Sequence, residues 1–496
     1  MNPSPTQSTS HVSTARLWGY AIGEGATSIA MGGISNFALL YYTSVLGLGA
    51  GMAGLALSVS VFWDAVTDPV MGHISDNTRS RWGRRLPYIL LGGLLLAPAF
   101  FSVYILPAGT WPAWLLFTLA LLANLAVRTA STIFGIPYVA LGFELCQSYD
   151  DRSRLQGIRS AFFMVINLVF GGLAWSLFFR DRTGPDGARV DGTSFADNYH
   201  TMGAVLSATM VVLVLLCVWF NRDMARDNRG AQVEGNSIRS FWGDFSQILS
   251  DRLAWYVFAF FSIALFGMLF VSQLQMLVYV FFMELRPEEK TLVHGGGMVA
   301  AGLGALFQAW LTNRYDKKTA GYAGIVIGVS GGVLLLVVFS MMGLAPRAVW
   351  PLAGFDVPVG LACFALGQWM WWFGSGMLGP ISMSMVADIS EIHFLKTGVR
   401  KDGGYSSVFS FLQKAAMSLG LLLSGWLIMA TGIVSGADSQ APEAVHRIAF
   451  ITFIIGPILM GLSFFILRGY PVNRESLRAM EQSADATGDG SMRHVS

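Results

Sequence analysis

The feature that most restricts this chain is the recurrence of long apolar runs from one end to the other. A membrane-spanning helix needs about 20 mostly apolar residues. Twelve such stretches are readable, at 20–47, 51–74, 87–106, 114–144, 156–179, 201–221, 252–283, 292–312, 321–343, 357–386, 404–432 and 446–468. The seventh and tenth are long enough to be tilted or broken. Only 12% of the 496 residues are charged, against roughly 25% in soluble proteins. An all-α polytopic membrane protein is predicted, and a net charge of +2 gives no reason to expect a nucleic-acid partner.

Lys and Arg in the short loops set the orientation. Basic residues follow span two (Arg79, Arg81, Arg84, Arg85), span four (Arg152, Arg154), span eight (Arg314, Lys317, Lys318) and span ten (Lys396, Arg400, Lys401). The loops after spans one and three hold none, and Arg180, Arg182 and Arg189 after span five are the exception. Both termini are therefore placed in the cytoplasm, and the chain in the cell (inner) membrane. The N-terminus MNPSPTQSTSHVSTAR lacks the pattern of a cleaved signal, so the first apolar run is expected to be retained. Cys146, Cys217 and Cys363 are far apart, with neither disulfide nor zinc spacing.

A polar stretch at 222–250, carrying Arg222, Arg226, Arg229 and Arg239, divides the spans into two sets of six. The expected organisation is a disordered N-terminus (1–15), an N-terminal six-helix bundle (16–221), a central cytoplasmic loop (222–250), a C-terminal six-helix bundle (251–470) and a disordered tail (471–496). A weak repeat supports the division. Gly72-His-Ile-Ser-Asp76 followed by RSRWGRR closes span two, and Asn313-Arg-Tyr-Asp-Lys-Lys closes span eight. Two six-span halves with a basic turn at matching positions describe the major facilitator fold.

Several charges lie where lipid should exclude them. A charge at the membrane centre costs about 2.5–3.5 kcal/mol on insertion scales, and such residues tend to face the bundle interior and mark ion or substrate paths. Asp64 and Asp68 are four residues apart in span two and share one helix face. Two close carboxylates repel, so the pair needs a cation between them or a proton on one. Thr67 and Thr132 can add hydroxyl oxygens to a Na⁺ held there. Arg159, in span five, is either an end residue reaching the interface or the counter-charge of the Asp pair. Arg128, mid-span four, needs a buried partner such as Glu24 or Asp64. Lys414 lies about ten residues into span eleven, roughly 15 Å along a helix, and the span-two carboxylates are its natural partners. Glu24 is read as a half-exposed residue at the start of span one, and Glu144 as a gate or helix-end residue closing span four. The turn DNTRSRWGRR, with Asp76, Arg84 and Arg85, is the matching cytoplasmic gate element. Asp388 and Glu391 close span ten before His393 and face Lys396–Lys401, as a salt-bridge cluster latching one state. His73 and His294 are read as structural.

Span ten also holds Trp369, Trp371 and Trp372 in GQWMWWFGSG. Their rings suit either lipid contact or stacking on a sugar ring. They splay around the helix, so one or two at most, such as Trp371 and Trp372, can face a substrate. The following Gly374-Ser-Gly376-Met-Leu-Gly379-Pro380 permits close packing or a helix break.

These residues carry a resemblance. FWDAVTDPVMG…DNTRSRWGRRLPYI resembles the signature of the glycoside–pentoside–hexuronide:cation symporters, the melibiose permease-like family. IPYVALGFEL (136–145), DDRSRLQGIRSAFF (150–163) and ADISEIHFLKTGVRKDGGYSSVFSFLQK (387–414) extend it over roughly 16–470. The resemblance implies that Asp64, Asp68 and Thr132 hold the coupling cation, and that Arg159 and Lys414 match the family's span-five arginine and span-eleven lysine. There are departures. Gly135 stands where melibiose permease-like members have a sugar-binding aspartate, and Ser28 stands at the second such position. Thr67 replaces an asparagine of the cation site, which moves weight from Na⁺ to H⁺.

The function expected is a secondary active symporter that moves a sugar, glycoside or hexuronide-like solute with H⁺ or Na⁺ by alternating access. Its partners are a small-molecule substrate and membrane lipid, and a monomer suffices. No cofactor is expected beyond the co-transported ion. No nucleophile–base motif or metal spacing suggests an enzyme. Two alternatives stand: a cation-coupled carrier of a lipid-like amphiphile, or a non-transporting membrane sensor or scaffold.

Overall fold

The computed structural model of the protein describes residues 12–222 and 245–472, together with residue 476, apart from positions 79, 108, 110, 147, 148, 185, 186, 188, 353, 354, 400 and 438. The expected disorder of the two termini and most of the central loop falls outside the described residues. The chain packs as two compact units, one of residues 1–48 and 62–235, the other of residues 49–61 and 236–496.

Twelve long helical segments are present among the described residues. In the first unit α1 is Thr14–Gly33 and runs on through π turns Ile34–Ala38 and Tyr41–Val45. Then come α2 (Ala50–Asn77), α3 (Leu86–Tyr104), α4 (Ala113–Leu145), α5 (Tyr149–Ile166, continued by a π turn, Asn167–Gly172) and α6 (Ala196–Asn221). The second unit holds α7 (Arg252–Phe282), α8 (Pro287–Arg314), α9 (Lys317–Met341), α10 (Val359–Thr397), α11 (Asp402–Thr431) and α12 (Pro442–Gly469). Ten of these are long and apolar enough to cross a membrane by length and composition. The other two are α1 and α10, which are rich in small or indole side chains. Two short antiparallel hairpins, β1–β2 (Arg182–Thr183 with Arg189–Val190) and β3–β4 (Trp350–Leu352 with Phe355–Val357), are the described sheet structure.

Helix ends depart from the apolar edges in an instructive way. α10 continues to Thr397 and stops at Gly398, whose φ of 70° is the left-handed conformation glycine favours. Apolarity marks where lipid ends, whereas a helix ends where its backbone hydrogen bonding is capped. So Asp388, Glu391 and Lys396 ride on a helix rather than in a loop. α1 likewise starts at Thr14, which puts Glu24 in its interior rather than at its start.

The Gly-rich part of α10 is a close-packing device, with no break. A Cβ on Gly376 would lie 2.0 Å from the carbonyl oxygen of Ala301 in α8, and one on Gly374 2.3 Å from that of Gly324 in α9. Bare glycine thus lets three backbones touch. The second unit's core gathers around α7, α10, α11 and α12 and includes Trp371. α2 is divided between the units: residues 50–61 group with this one, where the Ser58 and Ser418 hydroxyls lie 2.9 Å apart, and residues 62–77 with the first. In the first unit α1 packs on α5 and α6, and α3 on α4 and α6.

Candidate functional site

α2 presents two unlike faces. Phe62, Val66 and Val70 are 49%, 52% and 51% exposed, an apolar stripe at helical spacing. Asp64 and Asp68 point the other way, toward α4. There the two helices meet in register. Arg128 Nη1 donates to Asp64 Oδ2 at 2.9 Å, and four residues along each helix the Thr132 hydroxyl donates to Asp68 Oδ1 at 2.8 Å. Thr67 Oγ1 is 3.4 Å from Thr132 Oγ1 and donates to the Trp63 carbonyl. One turn before, the Trp63 indole donates to Thr129 Oγ1 at 3.0 Å. Asp64, Arg128 and Thr132 are buried, and Asp68 and Thr67 half-buried. The four-residue repeat of α2 is thus matched by that of α4, rung for rung. Asp64 is the partner taken of the two foreseen for Arg128.

Glu24 takes the other arginine. Arg159 Nε and Nη2 donate to Glu24 Oε2 at 2.9 and 2.6 Å. The guanidinium lies 5.4 Å from the Tyr138 ring centroid and 6.0 Å from that of Tyr20. Those two rings stack at 4.4 Å, and each hydroxyl donates to the other residue's carbonyl. This corrects the reading of Arg159 as counter-charge to the Asp pair. Its carboxylate is on α1, because Glu24 is an interior residue of a helix that packs against α5. Ser28 donates to the Glu24 carbonyl at 2.7 Å. A Cβ on Gly135 would meet nothing within 4 Å, so the space before α4 stays open there.

At the end of α2 the basic turn forms a network. Arg85 bonds to Asp76, to Ser75 Oγ at 2.7 Å and to Glu144 Oε1 at 3.1 Å, and Arg84 reaches the same Glu144 oxygen at 2.6 Å. Asp76, Arg84, Arg85 and Glu144 therefore tie α2, α3 and α4 together. In the second unit Lys317, at the start of α9, holds Asp388 of α10 at 2.6 and 2.7 Å. Lys317 is a partner of Asp388 beyond the Lys396–Lys401 segment that Asp388 and Glu391 were expected to face. Lys396 lies two turns further along the same helix, about 12 Å away, and is exposed. Glu391 is half-buried one turn beyond Asp388. Asp402 accepts from Ser390 at 2.6 Å.

Trp371 is 2% exposed and buried in the second unit's own core, so it offers no face to a substrate. The glycines around it are the reason: Gly456 of α12 leaves the room its ring fills. Trp372 is half-buried, with its indole 3.3 Å from Gln275 Oε1. Lys414 is half-buried within α11. Sequence reasoning missed Tyr20, Tyr138 and Thr129. The i, i+4 spacing of Tyr20 and Glu24 was a signal, but an aromatic at that spacing is equally a core residue.

A twelve-helix membrane protein with carboxylates and guanidinium groups paired inside its helices is a major facilitator-type transporter. The chain belongs to the MFS/sugar transport protein family, whose model matches residues 19–474. It is 24% identical to a glucuronide carrier protein homolog of Escherichia coli (strain K12), with 94% of each chain covered. It is 22% identical to sodium-dependent lysophosphatidylcholine symporter 1 of Xenopus tropicalis, over 95% of this chain and 90% of that one. The crystal structure of a bacterial homolog of the human lysosomal transporter Spinster, inward-facing and unoccupied, superposes with a TM-score of 0.65 at 12% identity, covering 92% of this chain and 98% of that one. At that identity the likeness concerns the fold.

Proposed function

We propose that this chain is a secondary active symporter that moves a sugar, glycoside or hexuronide-like solute together with a cation by alternating access. The observation that carries this is the α2–α4 ladder. Asp64, Asp68, Thr132 and Arg128 meet within helices that cross the membrane. Charges at that depth cost too much to serve as packing alone, and a carboxylate that binds and releases a cation gives that cost a use. In this reading Asp64, Asp68, Thr67 and Thr132 form the coupling site for H⁺ or Na⁺. Glu24 and Arg159, backed by the buried stacked pair Tyr20 and Tyr138, form the polar surface for a hydroxyl-rich solute. In the second unit, Lys414 and Trp372 are the polar and aromatic residues proposed for coupling and substrate binding. The Arg84–Arg85–Glu144 and Lys317–Asp388 ties act as conformational latches. The basic turns support a reading with both termini in the cytoplasm and the protein in the inner membrane, and on this reading a monomer suffices for the cycle.

A second reading, transport of a lipid-like amphiphile, is favoured by one observation: Gly135 leaves open space where a sugar-binding acid would project. Uptake into proteoliposomes under an imposed H⁺ or Na⁺ gradient, across labelled glycosides, hexuronates and lysolipids, separates the two. A gradient-driven signal for one class that disappears in Asp68→Asn is expected. Equal uptake by Asp68→Asn and wild type would end the coupling assignment.

A further inference from the structure

We propose that Gln275, Gln368 and Ser375, grouped around Trp372, form a site in the second unit that binds uncharged hydroxyl groups of the solute. The inference rests on the symporter reading and specifies what part of the solute the second unit holds.

α10 carries Gln368, Trp372 and Ser375 at four- and three-residue spacing, so the three share one face. Two contacts fix where that face points. The Trp372 indole N–H donates to Gln275 Oε1 of α7 at 3.3 Å, and the Phe364 ring meets that of Tyr279, one turn beyond Gln275, edge-on at 5.8 Å. Gln368 is four residues from both Phe364 and Trp372, so it faces α7 between them. The Trp372 ring also lies against α8, where a Cβ on Gly297 would be 2.9 Å from its Cδ1. Gly374 turns elsewhere, to Gly324 of α9.

Polar groups are thus gathered between α7 and α10 and left unmet. Gln275 is 0%, Gln368 1% and Ser375 6% exposed. Gln275 Nε2, Gln368 Oε1 and Ser375 Oγ have no hydrogen-bond partner among the described residues. Gln368 stands nine residues into α10, about 14 Å along the axis, and lipid around a bundle offers no partner of its own. Buried polar groups are nearly always paired. Elsewhere in this unit buried hydroxyls pair within their own helix, as Ser382, Ser424 and Thr452 do with carbonyls one turn back. Ser375, on the same helix as Ser382, does not.

The chemistry of the set selects the ligand. An amide N–H donates, an amide oxygen accepts, and a hydroxyl does either. A carboxylate would set an acceptor against Gln368 Oε1, and an ammonium would set a donor against Gln275 Nε2. A hydroxyl group satisfies both, and the set has no charge to offset one on the ligand. Trp372 is half-buried and adds an apolar ring for the carbon skeleton of a polyol. Three residues past Gln275, α7 passes into a π turn, Val278–Phe282, a feature that recurs at functional sites.

The test uses the full-length protein in detergent. Its thermal midpoint is measured alone and against rising concentrations of methyl glucoside, methyl galactoside and methyl xyloside. At least one of the three is expected to raise the wild-type midpoint saturably. Gln368→Met and Ser375→Ala are expected to keep or raise the unliganded midpoint, because each removes a buried polar atom that has no partner. Both are expected to bind the same glycoside about tenfold more weakly. Among its deoxy analogues, the one lacking the bound hydroxyl is expected to bind wild type and Gln368→Met alike. A wild type that none of the three glycosides shifts overturns the proposal, as do variants that bind the glycoside as tightly as wild type. A clear fall in the unliganded midpoint of either variant, or its failure to fold, marks these groups as structural and overturns it too. Failure of the symporter reading would show separately, as glycoside binding without any gradient-driven uptake.

Discussion

In the first unit the turn after α2 is tied to α4 through Arg84, Arg85 and Glu144, and in the second the turn after α8 and the start of α9 are tied to α10 through Lys317 and Asp388. The ties are counterparts: a basic side chain at the turn after each unit's second helix, an acid on its fourth. Deeper in, the likeness stops. The first unit carries Glu24, Asp64, Asp68, Arg128 and Arg159 inside its helices, with Arg128 paired to Asp64, Arg159 to Glu24, and Asp68 accepting from Thr132. In the second unit Lys414 is half-buried well inside α11 and Lys290 is buried near the start of α8, while α10 fills its middle with indole rings and glycines. A device present in both halves belongs to the shared fold. A device present in one half belongs to what this chain does with it. On the proposed reading, ion chemistry falls to α1, α2, α4 and α5, and the Trp371 and glycine face in the middle of the second unit's α10 to packing.

That assignment is open to direct attack. The largest effect is expected at Asp64. Asp64→Ala removes the partner of a buried guanidinium, and breaking such a pair typically costs about 3–5 kcal/mol. A sharply lowered thermal midpoint together with loss of uptake should result, and Asp64→Ala/Arg128→Met should recover most of the stability without the uptake. Recovery of uptake in the double variant would detach the first unit's pair from transport. Next comes Trp371→Ala, for which a buried large-to-small change predicts a loss of about 3–5 kcal/mol with substrate affinity intact in whatever fraction stays folded. A selective loss of affinity instead would bring that face of α10 into the site and break the contrast. Glu24→Gln should lower uptake by roughly tenfold, the worth of about 1.4 kcal/mol, because Arg159 then loses its charged partner. Arg159→Lys should not restore it, since a point charge cannot reproduce the planar contact with Tyr138. The smallest effects are expected at the ties. Lys317→Ala should cost about 1.5–3 kcal/mol, as for hydrogen bonds to charged groups, read as thermal stability. Arg84→Ala should cost less, because Arg85 still holds Glu144. A much larger loss of transport than of stability in either variant would make the ties true gates.

Much of the architecture was legible in the residues. Twelve apolar runs, the divide at 222–250 and the paired basic turns describe a two-half helical membrane protein without recourse to coordinates, because lipid leaves a helix few alternatives. The Asp64–Asp68 face was legible too, since four-residue spacing admits one side of a helix. Partner choice was less so. Periodicity says which residues of one helix lie together, and nothing about which neighbouring helix they meet. Arg159 was therefore open to two readings, and its partner turned out to be Glu24. The bond from Lys317 to Asp388, seventy-one residues later, had no signal in the sequence around either residue. Trp371 was a plausible sugar-stacking ring until the glycines of α9 and α12 closed around it.

By itself the sequence determined the fold class, the orientation signal and the presence of costly charges, because these follow from the solvent each residue must meet. Only the tertiary structure decided how the charges are spent: Arg128 on Asp64, Thr132 on Asp68, Arg159 on Glu24. The reason is geometric. Hydrophobicity acts on each segment separately, whereas an ion pair exists only when two helices bring the right turns to the same height, and register between helices is written in packing.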